Sequence, residues 1–422
     1  MDALKNVSPF PDEVDIADIG AAKEIHKIGE RYLKAGFYTH IGHKSAKTLF
    51  STTDPKFHAV RRKLLSPPMS ESSITTFEPI VYEKVRLCMT RMSEEMKIRG
   101  VADVYKWWTF LATDVIGELS FGESFRMLEY GKKNQYISDL ESVSSLMAVR
   151  TTFPELVKLS TYLPIPVFKR AAESGARMGS YAGQSIERYK TLIQKNPSNP
   201  KPTLFTKLFN AGEGGLTDFE IRLEAGGYIT AGSDTAAVTL TYLVHAVCRK
   251  KEIQEKLVAE VGTLPDNFTN NDAKELPYLE QVINETLRLY PAVPGALPRA
   301  VPPEGANLAG YQFPGGVTVS TQAYSLHRDP DIFPDPERFD PARWAMLTKE
   351  MKAAFMPFGG GSRICVGMAL ARMEMRLATA HFFRTFPHAK ISVKEGMTIE
   401  EMEPKMYFLV APQGHRCLLQ LS

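Results

Sequence analysis

Phe358-Gly359-Gly360-Gly361-Ser362-Arg363-Ile364-Cys365-Val366-Gly367 is the stretch that decides how this chain reads. It places one cysteine in a glycine-hinged loop, with a helix opening directly behind it. From Met368 to Phe386 there is neither Gly nor Pro, and Ala, Met, Leu, Arg and Glu dominate. The free N–H groups of a first helical turn, and the positive end of the helix dipole, favour a thiolate there. Zinc and iron–sulfur centres need several ligands. Here Cys88, Cys248 and Cys417 are remote in sequence, and the next histidine, His381, lies far along the helix. The bland alternative is a buried structural cysteine, since free cysteine is among the most buried residue types.

A solitary thiolate on a tight glycine loop suits axial ligation of haem iron, where it pushes electron density toward O–O cleavage. The pattern Phe-x-x-Gly-x-Arg-x-Cys-x-Gly is met by Phe358, Gly361, Arg363, Cys365 and Gly367. At ordinary residue usage it arises by chance in on the order of one in ten thousand chains of this length. The stretch resembles the haem-binding signature of the cytochrome P450 family. That resemblance implies heme (iron protoporphyrin IX, thiolate-ligated), with Cys365 as the axial iron ligand and Phe358 and Arg363 as further cofactor-binding residues.

Size and charge agree with an enzyme of this kind. The chain has 422 residues, 44% of them hydrophobic, enough for a substantial core. A net charge of +3 is too mild to suggest a nucleic-acid partner. Four scattered cysteines without paired spacing read as reduced thiols, which makes the sequons at Asn6 and Asn267 accidental. Met1 to Glu30 is polar and charged, and holds no apolar run near the ~20 residues a membrane helix needs. The weakly polar stretch Ala225–Cys248 holds Asp234 and His245 and reads as a buried core helix. The Pro-rich segment Asn196–Pro202 reads as a surface connection.

Helical signals dominate. The spacing predicts helices over Ala21–Leu33, Phe57–Leu65, Phe77–Arg99, Trp107–Glu118, Ala171–Lys195, Phe219–Lys251, Pro277–Tyr290 and Met368–Thr385. Thr217-Asp218-Phe219-Glu220 is a capping box, and Pro277 takes a first helical position. Short strands are expected late, at Tyr311–Phe313, Val317–Thr321, Tyr407–Val410 and Cys417–Leu421. The fold class is therefore mainly α with a small β portion. The resemblance implies a single haem-enclosing cytochrome P450 fold, one catalytic domain over residues 1–422.

Further motifs match the family in order. Asn284-Glu285-Thr286-Leu287-Arg288 puts Glu285 and Arg288 on one helical face, and alone such a pair is usually a solvated surface pair. With Phe333-Pro334-Asp335-Pro336-Glu337-Arg338-Phe339 the resemblance implies a buried structural triad of Glu285, Arg288 and Arg338. Ala231-Gly232-Ser233-Asp234-Thr235 lies mid-way along the expected central helix. Glycine there suits close packing and weakens the helix, and the Thr235 hydroxyl can compete for a backbone carbonyl. The segment resembles the family's oxygen-activation motif, which makes Asp234 and Thr235 the proton-managing catalytic pair.

Haem carries two propionates, so cations should converge on them. His58 and Arg62 are four apart and share a helical face; they resemble the family's propionate pair, as do Arg363 and Arg299. His327 is a weaker candidate, and Arg61 and Lys63 are expected to face solvent. Substrate contacts are expected at Ala231, along Val293–Leu297 (Val293, Ala296, Leu297) and at Met406–Phe408, with Tyr407 between.

The resemblance runs from Glu13 onward. In texture it is to fungal P450s of secondary metabolism, as in Asp114-Val115-Ile116-Gly117-Glu118-Leu119-Ser120-Phe121-Gly122 and Leu289-Tyr290-Pro291-Ala292-Val293-Pro294. Glu13–Ile16 resembles the second strand of the family's first sheet, and no counterpart of the membrane helix, Pro-rich hinge, first helix or first strand is visible. The implied function is a monooxygenase inserting one atom of O2 into an apolar small-molecule substrate, with electrons from NADPH-cytochrome P450 reductase. It would lie on the cytosolic side, endoplasmic reticulum association following if the natural N-terminus is longer. Two alternatives stand beside it: a haem-thiolate isomerase or dehydratase acting on a peroxide, and a truncated non-catalytic haem protein.

Overall fold

The structure is a computed structural model, and it describes residues 12–29, 31–41, 46–144, 146, 153, 155, 165–195, 201–209, 215–406 and 408–421. Over these residues the fold is mainly α with a small β portion. Among them, no helix is long and apolar enough to cross a membrane.

The chain divides into two compact units, residues 1–35, 88–108 and 235–422 in one and residues 36–87 and 109–234 in the other. All the strands among the described residues belong to the first unit. Its main sheet sets Glu13–Asp15 parallel to Thr318–Ser320, then Arg299–Ala300 antiparallel, then Leu33–Lys34 antiparallel at the edge. Ile16, Ile25, Tyr32, Val301, Leu308 and Val319 pack one hydrophobic cluster on this sheet. A second sheet joins Ala102–Asp103, Leu418–Leu421 and Ala389–Ile391. The helices Pro277–Leu289 and Met368–Thr385 complete the unit and bury much of their length.

The second unit is helical among its described residues. It includes Pro55–Leu65, Pro166–Lys195 and the first half of Asp218–Cys248. Asp114 explains part of the Asp114–Gly122 motif. Its buried carboxylate accepts from the N–H groups of Met127 (3.1 Å) and Leu128 (2.9 Å), capping the short helix Met127–Tyr130 from a distance.

Most expected elements form. The Thr217–Glu220 capping box closes in both directions, and Pro277 opens its helix. The expected Ala21–Leu33 helix does not extend so far. It runs Ile19–Ile25, capped by Asp18 (2.7 Å from the Ala21 N–H), because Gly29 has a φ of 134° and Leu33–Lys34 is drawn into the sheet. The late hairpin is shifted relative to Tyr407–Val410: it pairs Pro404–Met406 with Val410–Pro412. Tyr407 lies outside the described residues, as do residues 196–200 of the Pro-rich connection.

Candidate active site

The Cys365 loop is held by backbone geometry before any side chain matters. The Cys365 N–H donates to the Phe358 carbonyl (2.9 Å) and the Ile364 N–H to the Gly361 carbonyl (3.2 Å). Gly361 has a φ of 64°, and an added Cβ would lie 2.0 Å from the His26 carbonyl oxygen. Only glycine meets both conditions. Behind the loop, Gly367 caps the helix Met368–Thr385. Cys365 is exposed, whereas Cys88 and Cys417 are buried and Cys248 is half-buried. Burial pushes the thiols of Cys248 and Cys417 up, away from the thiolate.

The loop rests on a buried polar network whose membership differs from the expectation. Glu285 and Arg288 pair as expected, Nη2 to Oε1 at 2.8 Å and Nε to Oε2 at 2.9 Å, with both side chains fully buried. The third member is Arg343, whose Nε donates to Glu285 Oε1 at 3.0 Å. Arg338, expected in that role, has an exposed side chain and contributes its carbonyl, which accepts from Arg288 (3.2 Å) and Arg343 (3.3 Å). The Asp340 N–H (2.8 Å) and the Trp344 indole (2.9 Å) complete the Glu285 carboxylate. The chain turns at Asp335, where φ is 49°. The signal was present: Pro341-Ala342-Arg343-Trp344 repeats the Pro-x-Arg-aromatic text of Pro336–Phe339 five residues on.

His327 belongs to this network and is not a propionate contact. Its Nδ1 lies 2.9 Å from the Arg288 carbonyl, and its Nε2 accepts from the Met356 N–H at 3.0 Å. Both ring nitrogens are thus used inside the protein, and Met356 sits two residues before Phe358. The bonding requires a neutral ring with hydrogen on Nδ1. Burial, aided by the Arg288 charge, lowers its pKa to about 3. Unfolded histidine titrates near 6.5, so between those values the unfolded chain binds a proton that the native ring does not. Stability from this site is therefore full above about pH 6.5 and is lost as pH falls toward about 3. His26, lowered to about 4 by burial and then by Arg299, adds in the same direction. Melting temperature should fall between pH 7 and pH 4, and His327→Gln should flatten that slope; an unchanged slope would remove His327 from the account.

Arg299 is buried on its short strand and donates to the Pro298 carbonyl (3.0 Å). Lys34, which sequence reasoning missed, stands directly opposite it in the antiparallel pair and is also buried. Burial, then the charges of Arg299 and Arg363, hold the Lys34 ammonium well below its usual pKa. An exposed thiol and, two residues away, an arginine that acts on this buried cationic patch fit haem: a ligand for iron and a counter-surface for its carboxylates.

In the second unit, His58 and Arg62 lie one turn apart on Pro55–Leu65, His58 buried and Arg62 half-buried. Lys63 is exposed as expected. Arg61 is not: its guanidinium is buried, pairs with Glu220 at 2.5 Å, approaches Glu224 at 3.7 Å and covers the Phe57 ring. Glu220 and Glu224, on the helix that begins at Asp218, cover Arg61 and keep it from solvent.

That helix runs without interruption from Asp218 to Cys248. Ala231 is exposed and Gly232, Asp234 and Thr235 are half-buried, while the residues immediately following are buried. A Cβ on Gly232 would lie 3.0 Å from the Ile116 side chain, so this glycine serves close packing. One turn further on, the Thr239 hydroxyl donates to the Thr235 carbonyl at 2.8 Å. Of the expected substrate positions, Val293, Ala296 and Leu297 are half-buried. Leu297 lies 3.7 Å from where a Gly359 Cβ would be, and Gly295 packs on Met406.

Comparison with known proteins agrees with this geometry. The family model described as Cytochrome P450 matches residues 14–419. The chain is 61% identical over 414 residues to the cytochrome P450 monooxygenase tazI of Aspergillus terreus, covering 97% of this chain and 85% of that protein. It is 47% identical to the cytochrome P450 monooxygenase orf2 of Aspergillus niger, covering 97% and 84%. Among solved structures, the cytochrome P450DA heme domain superposes with a TM-score of 0.81 at 19% identity, covering 97% of this chain and 88% of that one. Fold, cysteine loop and relatives converge: the chain belongs to the cytochrome P450 family, a family of haem-thiolate oxidoreductases, and is a P450 monooxygenase.

Proposed function

We propose that the chain inserts one oxygen atom from O2 into an apolar small molecule of fungal secondary metabolism, using two electrons from NADPH through cytochrome P450 reductase, the second oxygen leaving as water. The observation that carries this reading is the exposed Cys365 at the head of the Met368–Thr385 helix, beside Arg363. Haem, when bound, supplies the centre at which oxygen is reduced. The protein's own residues do the rest. Cys365 would ligate the haem iron, its thiolate favoured by the helix N-terminus. Arg299, Arg363, His58 and Arg62 would hold the propionates, and Phe358 would line the loop. Val293, Ala296, Leu297 and Ala231 offer the apolar surface that orients a substrate. Asp234 and Thr235, half-buried in mid-helix, hold and move protons. We read residues 1–422 as one catalytic domain, because three of the four boundaries between the two units fall within continuous helices, Glu78–Arg99, Val104–Phe121 and Asp218–Cys248.

Thr235 provides the test. Without its hydroxyl, proton delivery is disordered and electrons are diverted from product to hydrogen peroxide. Thr235→Ala should keep haem and NADPH consumption while lowering the ratio of product to peroxide, and Asp234→Asn should slow turnover by roughly 10²-fold or more. An unchanged ratio in Thr235→Ala would remove the role assigned to it. Activity supported by an organic hydroperoxide alone, without reductase, would move the chain to the isomerase class.

A further inference from the structure

Arg61 puts a cation inside the second unit, at a place where an apolar side chain would join two helices at least as stably. It is 5% exposed, and Glu224 beside it is 3% exposed. Its Nη2 donates to Glu220 Oε1 at 2.5 Å, its Nε lies 3.7 Å from Glu224 Oε1, and its guanidinium covers the Phe57 ring at 4.7 Å. Its Nη1 is buried and makes no hydrogen bond among the described residues. The two acids are themselves fixed. Glu220 Oε2 accepts from the Thr217 N–H (2.9 Å) in the capping box, and Glu224 Oε1 accepts from the Leu49 N–H (2.9 Å), ahead of the helix Pro55–Leu65. One turn beyond Glu224, the Tyr228 hydroxyl donates to the Leu65 carbonyl at 3.5 Å. Every fourth residue at this end of the central helix, Glu220, Glu224 and Tyr228, thus grips Pro55–Leu65 or the chain leading into it.

A buried ion pair is a weak source of stability, and its best-attested use is to fix register. Arg61 held between two acids opposes both rotation and sliding of Pro55–Leu65 on the central helix. Arg62 follows it by about 100° of helical turn, and His58 lies one turn before Arg62, so the same hold sets the direction of both. We propose that Arg61 is a positioning residue for the haem carboxylates: clamped by Glu220 and Glu224, it fixes where His58 and Arg62 point. The inference rests on the reading of His58 and Arg62 as propionate contacts. It adds a residue whose own side chain faces away from the cofactor's reach, into the seam between two helices.

The test is a double-mutant cycle on the ferric holoprotein, read as the rate of haem transfer to excess apomyoglobin. Arg61→Met removes the charge and keeps much of the stem. Burial raises the pKa of Glu224 to about 7, so this acid can take up a proton once Arg61 is gone and leave no unpaired buried charge. Arg61→Met should release haem about tenfold faster, the scale of one lost charge-assisted hydrogen bond. Arg61→Lys, which keeps the cation, should fall between the two. Arg62→Met should also release haem faster, and the Arg61→Met, Arg62→Met double variant should fall clearly short of the product of the two effects, because Arg61 acts through Arg62. Wild-type release in Arg61→Met would overturn the proposal. So would effects that multiply in full, which is what a helix-packing residue unconnected with haem would give. If Arg61→Met yields no holoprotein, the same cycle is run with Glu220→Gln, which keeps a capping-box residue and weakens the clamp. Wild-type release in both Arg62→Met and His58→Gln, with the thiolate-type absorption intact, would instead refute the propionate reading on which the inference stands.

Discussion

Cys365→Ala will abolish the red-shifted absorption of the reduced, carbon monoxide-bound protein that thiolate-ligated haem gives, while Cys88→Ala, Cys248→Ala and Cys417→Ala each retain it. The asymmetry follows from where the four sulfurs sit. Cys365 is exposed on a loop whose backbone bonds fix its approach, at the positive end of a helix. Cys417 is fully buried, Cys248 is held in apolar surroundings, and both are pushed away from the thiolate form by desolvation. The Cys88 sulfur is buried and lies 3.6 Å from the Trp107 carbonyl, to which it donates. None of the three can replace the ligand. The measurement is the difference spectrum of purified protein with matched haem content. Folded wild type that binds haem but shows the histidine-type band would sink the assignment, and so would a thiolate band surviving in Cys365→Ala.

What the sequence disclosed depends on how locally each feature is encoded. The helix behind the cysteine, the capping box and the Glu285–Arg288 pair are each encoded within one short stretch of sequence, and each forms as expected. Features set by distant pairing were not legible. Leu33–Lys34 is a strand only because Arg299–Ala300 lies beside it, and two residues carry no periodicity. That loss hid Lys34 and turned its neighbourhood into an expected helix. Arg61 was assigned to solvent from the face it shares on its own helix, yet a partner helix covers that face with Glu220 and Glu224. Arg338 and Arg343 occupy two similar runs of text, and the folded path of the chain, which neither run encodes, brings the second to Glu285.

That last distinction makes the second large prediction. Glu285 accepts from Arg288, Arg343, the Trp344 indole and the Asp340 N–H, and none of it reaches solvent. Glu285→Ala leaves two guanidiniums without their anion, that of Arg288 fully buried and that of Arg343 nearly so. Breaking a buried pair from one side costs about 3–5 kcal/mol, a large share of the roughly 5–15 kcal/mol that holds a domain together. The effect should appear as failed haem incorporation and not as slow chemistry, because Arg288 also donates to the His327 carbonyl (2.9 Å), and His327 in turn accepts from the Met356 N–H at the entrance to the cysteine loop. Arg343→Ala should fail in the same way. Arg338→Ala should behave nearly as wild type, within about 0.5 kcal/mol, since its exposed side chain can be removed while the carbonyl that Arg288 and Arg343 use stays in place. Haem-to-protein ratio and soluble yield, compared across the three variants, separate the outcomes. Soluble, fully haem-loaded Glu285→Ala protein would contradict the structural role, and an Arg338→Ala variant as damaged as Arg343→Ala would return the older arginine to the triad.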